Sequence, residues 1–241
     1  MIRVYLLVVL FITPIALTSQ SNVAYNDLLK KYVTDDGNVN YRGFITERLK
    51  FEAYLAHLSK YPPNSKWTEN QRKAYWINAY NAFTIKLIID HYPLESITDL
   101  HPFFYIPGLN TVWHEEFFQI QGVEMSLDRI EHEILRVEFN DARIHFAINC
   151  ASVSCPKLRN EAYEAVKINA QLDDQAKAFI NNPQKNIIKS NEVQLSKIFS
   201  WFEGDFESQN GLIPFINRFS EITISKEAKI DYLPYNWSLN E

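Results

Sequence analysis

Residues 126–158 read SLDRIEHEILRVEFNDARIHFAINCASVSCPKL, and every other part of the chain is read outward from them. The stretch sets His132 and His145 beside Cys150 and Cys155, the only two cysteines in 241 residues. Ser126 predicts a helix N-cap, with Asp128 in the first turn where the helix dipole favours a negative charge. Leu127, Ile130, Ile134 and Leu135 share one face at helical spacing. Glu131 leans toward that face and His132 flanks it. A buried carboxylate needs a partner, because burial alone is costly. An ion pair with Arg143 is the commoner solution; orienting a histidine is the functional one. Arg143 to Asn149 then alternates as a buried strand. Ile144, Phe146 and Ile148 lie on one face, and Arg143, His145, Ala147 and Asn149 on the other. A regular strand would put Cys150 on the apolar face and turn His145 away from it, so His132 is at least as good a base.

Before this stretch, Thr68 followed by Gln71 predicts a capping box. It opens a helix, running to about His91, that is apolar almost all round and therefore central. Asn78 and Asn81 sit one turn apart within it. Buried amides must find hydrogen bonds, so they either brace neighbouring loops or line a site. Residues 23–61 read as two helical pieces around a turn at Asp35–Gly37. The acidic residues of that turn are turn chemistry, because the rest of a calcium loop is missing. Val112 to Met125 predicts a hairpin turning at Gln121–Gly122, and Ile187 to Leu195 a second one. Residues 165–181 and 212–219 are helical. Trp201, Phe202 and Asp205 fall in a further segment, and the aromatic tail, 229–241, packs back on the body. The expected fold is α+β: a mostly helical single domain over 19–241 with a small antiparallel sheet and its core motifs in 68–205.

Residues 1–18 have the parts of a secretory signal peptide: Arg3, a short apolar run and small residues after it. This predicts a periplasmic or extracellular protein with no stable membrane span after cleavage. Loss of Arg3 takes the formal charge from −5 to −6, and no basic run argues for nucleic acid. In an exported chain Cys150 and Cys155 are a candidate disulfide, but one that closes only a short loop. Cys150 is expected to be at least partly free under mild reduction.

YWINAYNA, MSLDRIEHEILR, ARIHFAINCASVSCPKLRNEAY, IFSWFEGDF and YLPYNWSLN resemble the DUF547 family of proteins without an assigned role. The resemblance runs from about residue 70 to 205 and takes in the tail. Bacterial members are often exported; plant members carry the domain beside a leucine-zipper segment. Plant relatives keep a cysteine matching Cys150 and an IEH-like motif matching Glu131 and His132. They often have serine in place of Cys155 and lack a histidine matching His145. The resemblance therefore implies that a disulfide is not the shared purpose of Cys150, and it favours His132 as its partner.

Three functions fit these residues. The first is a cysteine hydrolase or acyltransferase acting on a peptide or amide. Cys150 is its nucleophile, His132 or His145 its base, and Glu131 or Asn81 its orienter. Backbone N–H groups of the CASVSC loop would receive the oxyanion. Trp76, Asn78, Ser152 and Ser154 are candidate binding residues. By analogy alone, helix, sheet, Cys and His suit a papain- or transglutaminase-like arrangement, permuted because His132 precedes Cys150. The second function is a binding or scaffold domain with Cys150 structural. The third is a zinc site from His132, His145, Cys150 and Cys155, whose spacing matches no common zinc pattern. No cofactor is expected. The substrate class is a small molecule or peptide.

Overall fold

Helix α4, Glu69–His91, is the axis on which the other elements are laid, in a computed structural model that describes residues 14–106 and 109–241, with side chains from residue 22. The expected capping box is present at its start. The Thr68 hydroxyl accepts from the Gln71 amide, and the Gln71 side chain accepts from the Thr68 amide. Fifteen of its residues are buried, which fits an apolar surface on every side.

Two N-terminal helices, α2 (Tyr41–Thr46) and α3 (Arg48–Lys60), pack against it, and α1 (Pro14–Tyr32) packs on those two. Tyr25 of α1 stacks on Tyr54 of α3 with ring centroids 4.3 Å apart. The predicted turn lies between Val33 and Val39, which form an isolated bridge. Gly37 takes a φ of +87° there, and a Cβ would meet the Lys157 backbone, so only glycine fits. Residues 1–13 of the expected leader lie outside the described residues. Among the described residues no helix is long and apolar enough to cross a membrane.

The first hairpin forms over the later part of its expected span, after a 3-10 turn at Val112–His114. β1 (Phe118–Ile120) pairs antiparallel with β2 (Val123–Met125). Gln121 and Gly122 both have positive φ, the geometry that matches the twist of a two-residue turn. Phe118 stacks on Phe83 of α4 at 3.7 Å. The second hairpin also forms, from β3 (Ile187–Ile188) and β4 (Glu192–Leu195). The tail then adds β5 (Lys229–Tyr232) parallel to β4, so the second sheet is mixed. The fold is α+β, one domain of helices with small sheets.

The expected helix after Ser126 begins where predicted, with the Ser126 hydroxyl accepting from the Arg129 amide. It departs from an α-helix over Arg129–Leu135, which is a π-helical turn, and continues as α5 (Arg136–Glu138). The strand expected over 143–149 is not formed. Ala142–Phe146 is a 3-10 helix capped by the Asp141 side chain on the Arg143 amide. The reason is packing on two sides. Ala142 and Phe146 belong to a cluster with Phe179, Phe199, Phe206 and Phe215, while Ile144, Ala147 and Ile148 belong to the main core around α4. A segment standing between two cores is buried all round, so its apparent alternation carried no information about direction. The second core is completed by α6 (Ile168–Ile180), α7 (Lys197–Trp201), α8 (Glu203–Glu207) and α9 (Leu212–Asn217).

Candidate functional site

A cleft of about 670 Å³ opens where the two cores meet. The π-helical turn contributes Asp128, Glu131 and His132, the 3-10 segment His145, and the following loop Cys150 and Cys155. The wider turn of a π-helix is a recurrent device at functional sites. Here the Arg136 amide reaches back to the Glu131 carbonyl. Aromatic rings form the opposite wall. Trp201 stacks on Trp237 at 5.7 Å, Tyr235 lies 4.4 Å from Trp237, and Trp113 lies 5.4 Å from it.

His145 is 2% exposed and is the most constrained of these groups. Its Nε2 donates to Asp205 Oδ2 at 2.7 Å, and its ring stacks on Phe202 at 3.9 Å. Its Nδ1 is buried without a hydrogen-bond partner and lies 3.7 Å from Glu131 Oε1. Asp205 is held from its other side by Arg136, through Nε at 2.6 Å and Nη2 at 2.8 Å. Burial alone would raise the Asp205 pKa, but the hydrogen bonds from His145 and Arg136 and their charge hold it well below the usual carboxylate range. Burial first, and the Glu131 carboxylate second, push the Tyr80 hydroxyl well above its ordinary value.

His132 is differently placed. Arg136 Nη1 donates to its Nδ1 at 2.7 Å, and its Nε2 lies 3.7 Å from Asp128 Oδ1. A guanidinium has no acceptor, so Nδ1 carries the lone pair and Nε2 the proton. Neither His132 nor His145 hydrogen-bonds the Cys150 sulfur, whose polar neighbours are the hydroxyls of Ser152 and Tyr235. The expectation that His145 turns away from the Cys150 side fails with the strand: both residues border the one cleft. The Glu131–Arg143 ion pair is not formed either. Arg143 pairs with Asp141 and Asp173 at 2.7 Å each.

Cys150 and Cys155 are joined by a disulfide with Cα atoms 6.2 Å apart, within the usual span. The candidate disulfide is thus formed in this structure. Cys155 is 4% exposed, whereas Cys150 is half-buried. The loop between them is held by its own bonds. Asn149 Oδ1 accepts from the Ala151 amide, and Asn149 Nδ2 donates to the Pro156 carbonyl. Ala151 is buried with a φ of +59°, a conformation costing about 1–2 kcal/mol outside glycine. The amides of Val153 and Ser154 donate to the tail carbonyls of Ser238 and Asn236, and that of Cys155 to the Ser152 carbonyl. These amides are spent within the fold, so the oxyanion site expected from the CASVSC loop is not assembled.

The other candidates lie behind the cleft. Asn81 donates to the Ala147 carbonyl at 2.9 Å and accepts from the Asn149 amide at 2.8 Å. It positions the loop that carries Cys150. Asn78 does the same for Tyr163. Trp76 packs edge-on against Tyr75. Ser154 accepts from the Asn236 amide, and Ser152 donates to the Tyr235 hydroxyl. Among the described residues no group of three or more His, Cys, Asp or Glu is arranged to hold a metal ion, and both sulfurs of the zinc alternative are consumed by the bridge. Sequence reasoning missed Asp205, Arg136 and Tyr235 as site residues. Arg136 was findable, because His132 and Arg136 are four apart on one helical face. Asp205 and Tyr235 come from distant segments whose approach no local pattern encodes.

The sequence profile of a family described as "Protein of unknown function, DUF547" matches residues 64–180. This segment belongs to the DUF547 family. No curated protein and no solved structure matches the chain, so nothing solved stands behind the papain- or transglutaminase-like analogy. The DUF547 segment supplies α4, the π-helical turn and the disulfide loop. Trp201, Phe202, Asp205, Tyr235 and Trp237 reach the cleft or its histidine from beyond it.

Proposed function

We propose that this cleft is the active centre of a cysteine-dependent hydrolase or acyltransferase for a peptide or amide substrate, working with the Cys150–Cys155 bridge open. The observation that carries the reading is that Cys150 and an Asp205-held His145 border the same aromatic-walled cleft. In this reading the Cys150 thiolate attacks the carbonyl carbon. His145 takes the thiol proton at Nδ1, its one unpartnered nitrogen, and returns it to the leaving amine. Asp205 fixes the ring and its tautomer. His145 thus takes the role for which the family resemblance favoured His132, because it is the histidine whose ring Asp205 holds. The same disulfide supports export to the periplasm or beyond, because such bridges persist in oxidising compartments.

A second reading, a binding domain with Cys150 structural, is favoured by the bridge itself and by the spent loop amides. Iodoacetamide labelling of the reduced protein separates the two. Acyl-transfer chemistry expects Cys150 to react at pH 7 about tenfold faster than a free thiol. His145→Gln should slow it strongly and His132→Ala by less. Labelling at the free-thiol rate, indifferent to His145, would leave the binding domain.

A further inference from the structure

The two sulfurs of the bridge are not equivalent. Cys150 is half-buried and faces the cleft, its sulfur 3.4 Å from the Tyr235 hydroxyl and 3.5 Å from that of Ser152; Cys155 is buried and has the two closer donors. The Cys150 amide donates to its sulfur at 3.0 Å and the Tyr235 hydroxyl at 3.2 Å. The Tyr235 hydroxyl is in turn fixed by Ser152, which donates to its oxygen at 3.1 Å. Burial pushes the Tyr235 pKa up, so the hydroxyl keeps its proton and stays a donor. In thiol–disulfide exchange the attacked sulfur must be reachable, and the departing sulfur leaves faster when its thiolate is stabilised. Those two requirements are divided here between Cys150 and Cys155.

We propose that the Cys150–Cys155 bridge is a thiol-exchange centre in which a thiolate entering the cleft attacks Sγ of Cys150 and expels Cys155. The incoming sulfur forms a mixed disulfide with Cys150. The old S–S bond breaks, and its electron pair leaves on the Cys155 sulfur. That thiolate is received by the Cys150 amide and the Tyr235 hydroxyl. A second thiolate attacking the incoming sulfur releases the external disulfide and frees Cys150 as a thiolate. The thiol is the reductant, and two thiols are consumed for each bridge opened.

The loop has supports besides its bridge. Asn149 and tail residues 236–239 both hydrogen-bond it. A bridge between residues five apart also constrains the unfolded chain less than one closing a long loop. A bond that contributes little to the fold, and is presented asymmetrically to a cavity, has the arrangement of a reactive bridge. The proposal stands apart from the acyl-transfer reading, although opening the bridge is what would free that reading's nucleophile.

The experiment uses the full oxidised chain with no amide substrate. Reduced glutathione is the small-thiol probe and a cysteine-containing peptide the larger one. Reactions are quenched in acid and the adduct is mapped by mass spectrometry. The expected adduct is on Cys150, formed without denaturant and at least about tenfold faster than on an unstructured C-x4-C peptide disulfide. A preference for glutathione over the peptide would assign a low-molecular-weight thiol, and the reverse a protein thiol; either supports exchange. Tyr235→Phe should slow exchange severalfold. In the reduced Cys150→Ser protein, Tyr235→Phe should also raise the Cys155 thiol pKa, read from thiolate absorbance. Adducts on Cys155, or a bridge that opens only after unfolding, would overturn the proposal without any variant having to fold. Exchange without hydrolysis would remove only the acyl-transfer reading, and hydrolysis by a protein whose bridge ignores thiols only this one.

Discussion

Asp141 accepts a hydrogen bond from Lys73 Nζ at 3.0 Å and two from the Arg143 guanidinium at 2.7 and 2.8 Å. Glu131, a buried carboxylate on the same stretch, has instead the Nδ1 of His145 at 3.7 Å and the hydroxyl of Tyr80 as its neighbours. The first carboxylate is saturated with cations and lies behind the 3-10 segment. The second faces a cavity with its needs incompletely met. Natural interiors leave few buried polar groups unpaired, so the contrast marks what each region is for. The saturated side fixes the backbone, and the other side borders the cleft in which the proposed chemistry would take place.

That contrast can be broken most sharply at Asp141. Asp141→Asn would take from Lys73, 4% exposed, its nearest anion and leave Arg143 with Asp173 alone. Removing one partner of a buried ion pair costs about 3–5 kcal/mol, and urea unfolding would read it. A loss below about 1 kcal/mol would mean that the network is ornamental. The pH dependence follows from the same group. Burial would raise the Asp141 pKa, but Arg143 and Lys73 outweigh it and bring it from an ordinary 3.8 to about 2. A folded pKa below the unfolded one gives stability that is fully present above the unfolded value. That stability is lost as the pH falls toward 2, and it amounts to on the order of 2 kcal/mol. Acid titration of unfolding should show this limb, and Asp141→Asn should flatten it. An Asp141→Asn protein with an unchanged acid limb would assign the loss to other carboxylates.

Asn81→Ala tests the same rear wall by a smaller step. It leaves the Ala147 carbonyl and the Asn149 amide without the partners they have now. An unsatisfied buried group costs about 1–3 kcal/mol. Because Asn149 then loses its anchor, thiol access to Cys150 should change as well. A destabilised protein with unaltered Cys150 reactivity would show that the rear wall does not position the front one.

What the sequence revealed divides along the same line. The capping box at Thr68, the turn at Gln121–Gly122 and the cap at Ser126 were legible because each is chemistry among residues a few places apart. The 3-10 segment was not. Its residues alternate as a strand would, but burial by two cores erases the distinction between faces on which period-two reading depends. The cleft was half legible. Cys150, Glu131, His132 and His145 fall in one window, whereas Asp205 and Tyr235 reach it only through the packing of α8 and the tail. The Glu131–Arg143 pair was a reasonable reading of composition that geometry redirected: Arg143 lies two residues from Asp141, and that nearer carboxylate captured it.

Glu131→Gln is the smallest change and the closest test of the comparison. It is the same carboxylate-to-amide exchange as Asp141→Asn, made on the front side. The amide has nearly the shape of the carboxylate, and no lysine or arginine salt bridge is lost. The penalty for burying a charge is relieved, so stability should move by less than about 1 kcal/mol, in either direction. Function should respond instead. If His145 takes a proton at Nδ1, the carboxylate 3.7 Å from that atom stands beside the transfer, and its removal should change the rate of Cys150 alkylation in the reduced protein severalfold. A Glu131→Gln protein that unfolds like Asp141→Asn would show that both carboxylates serve the fold. One with native stability and an unchanged alkylation rate would take Glu131 out of the site.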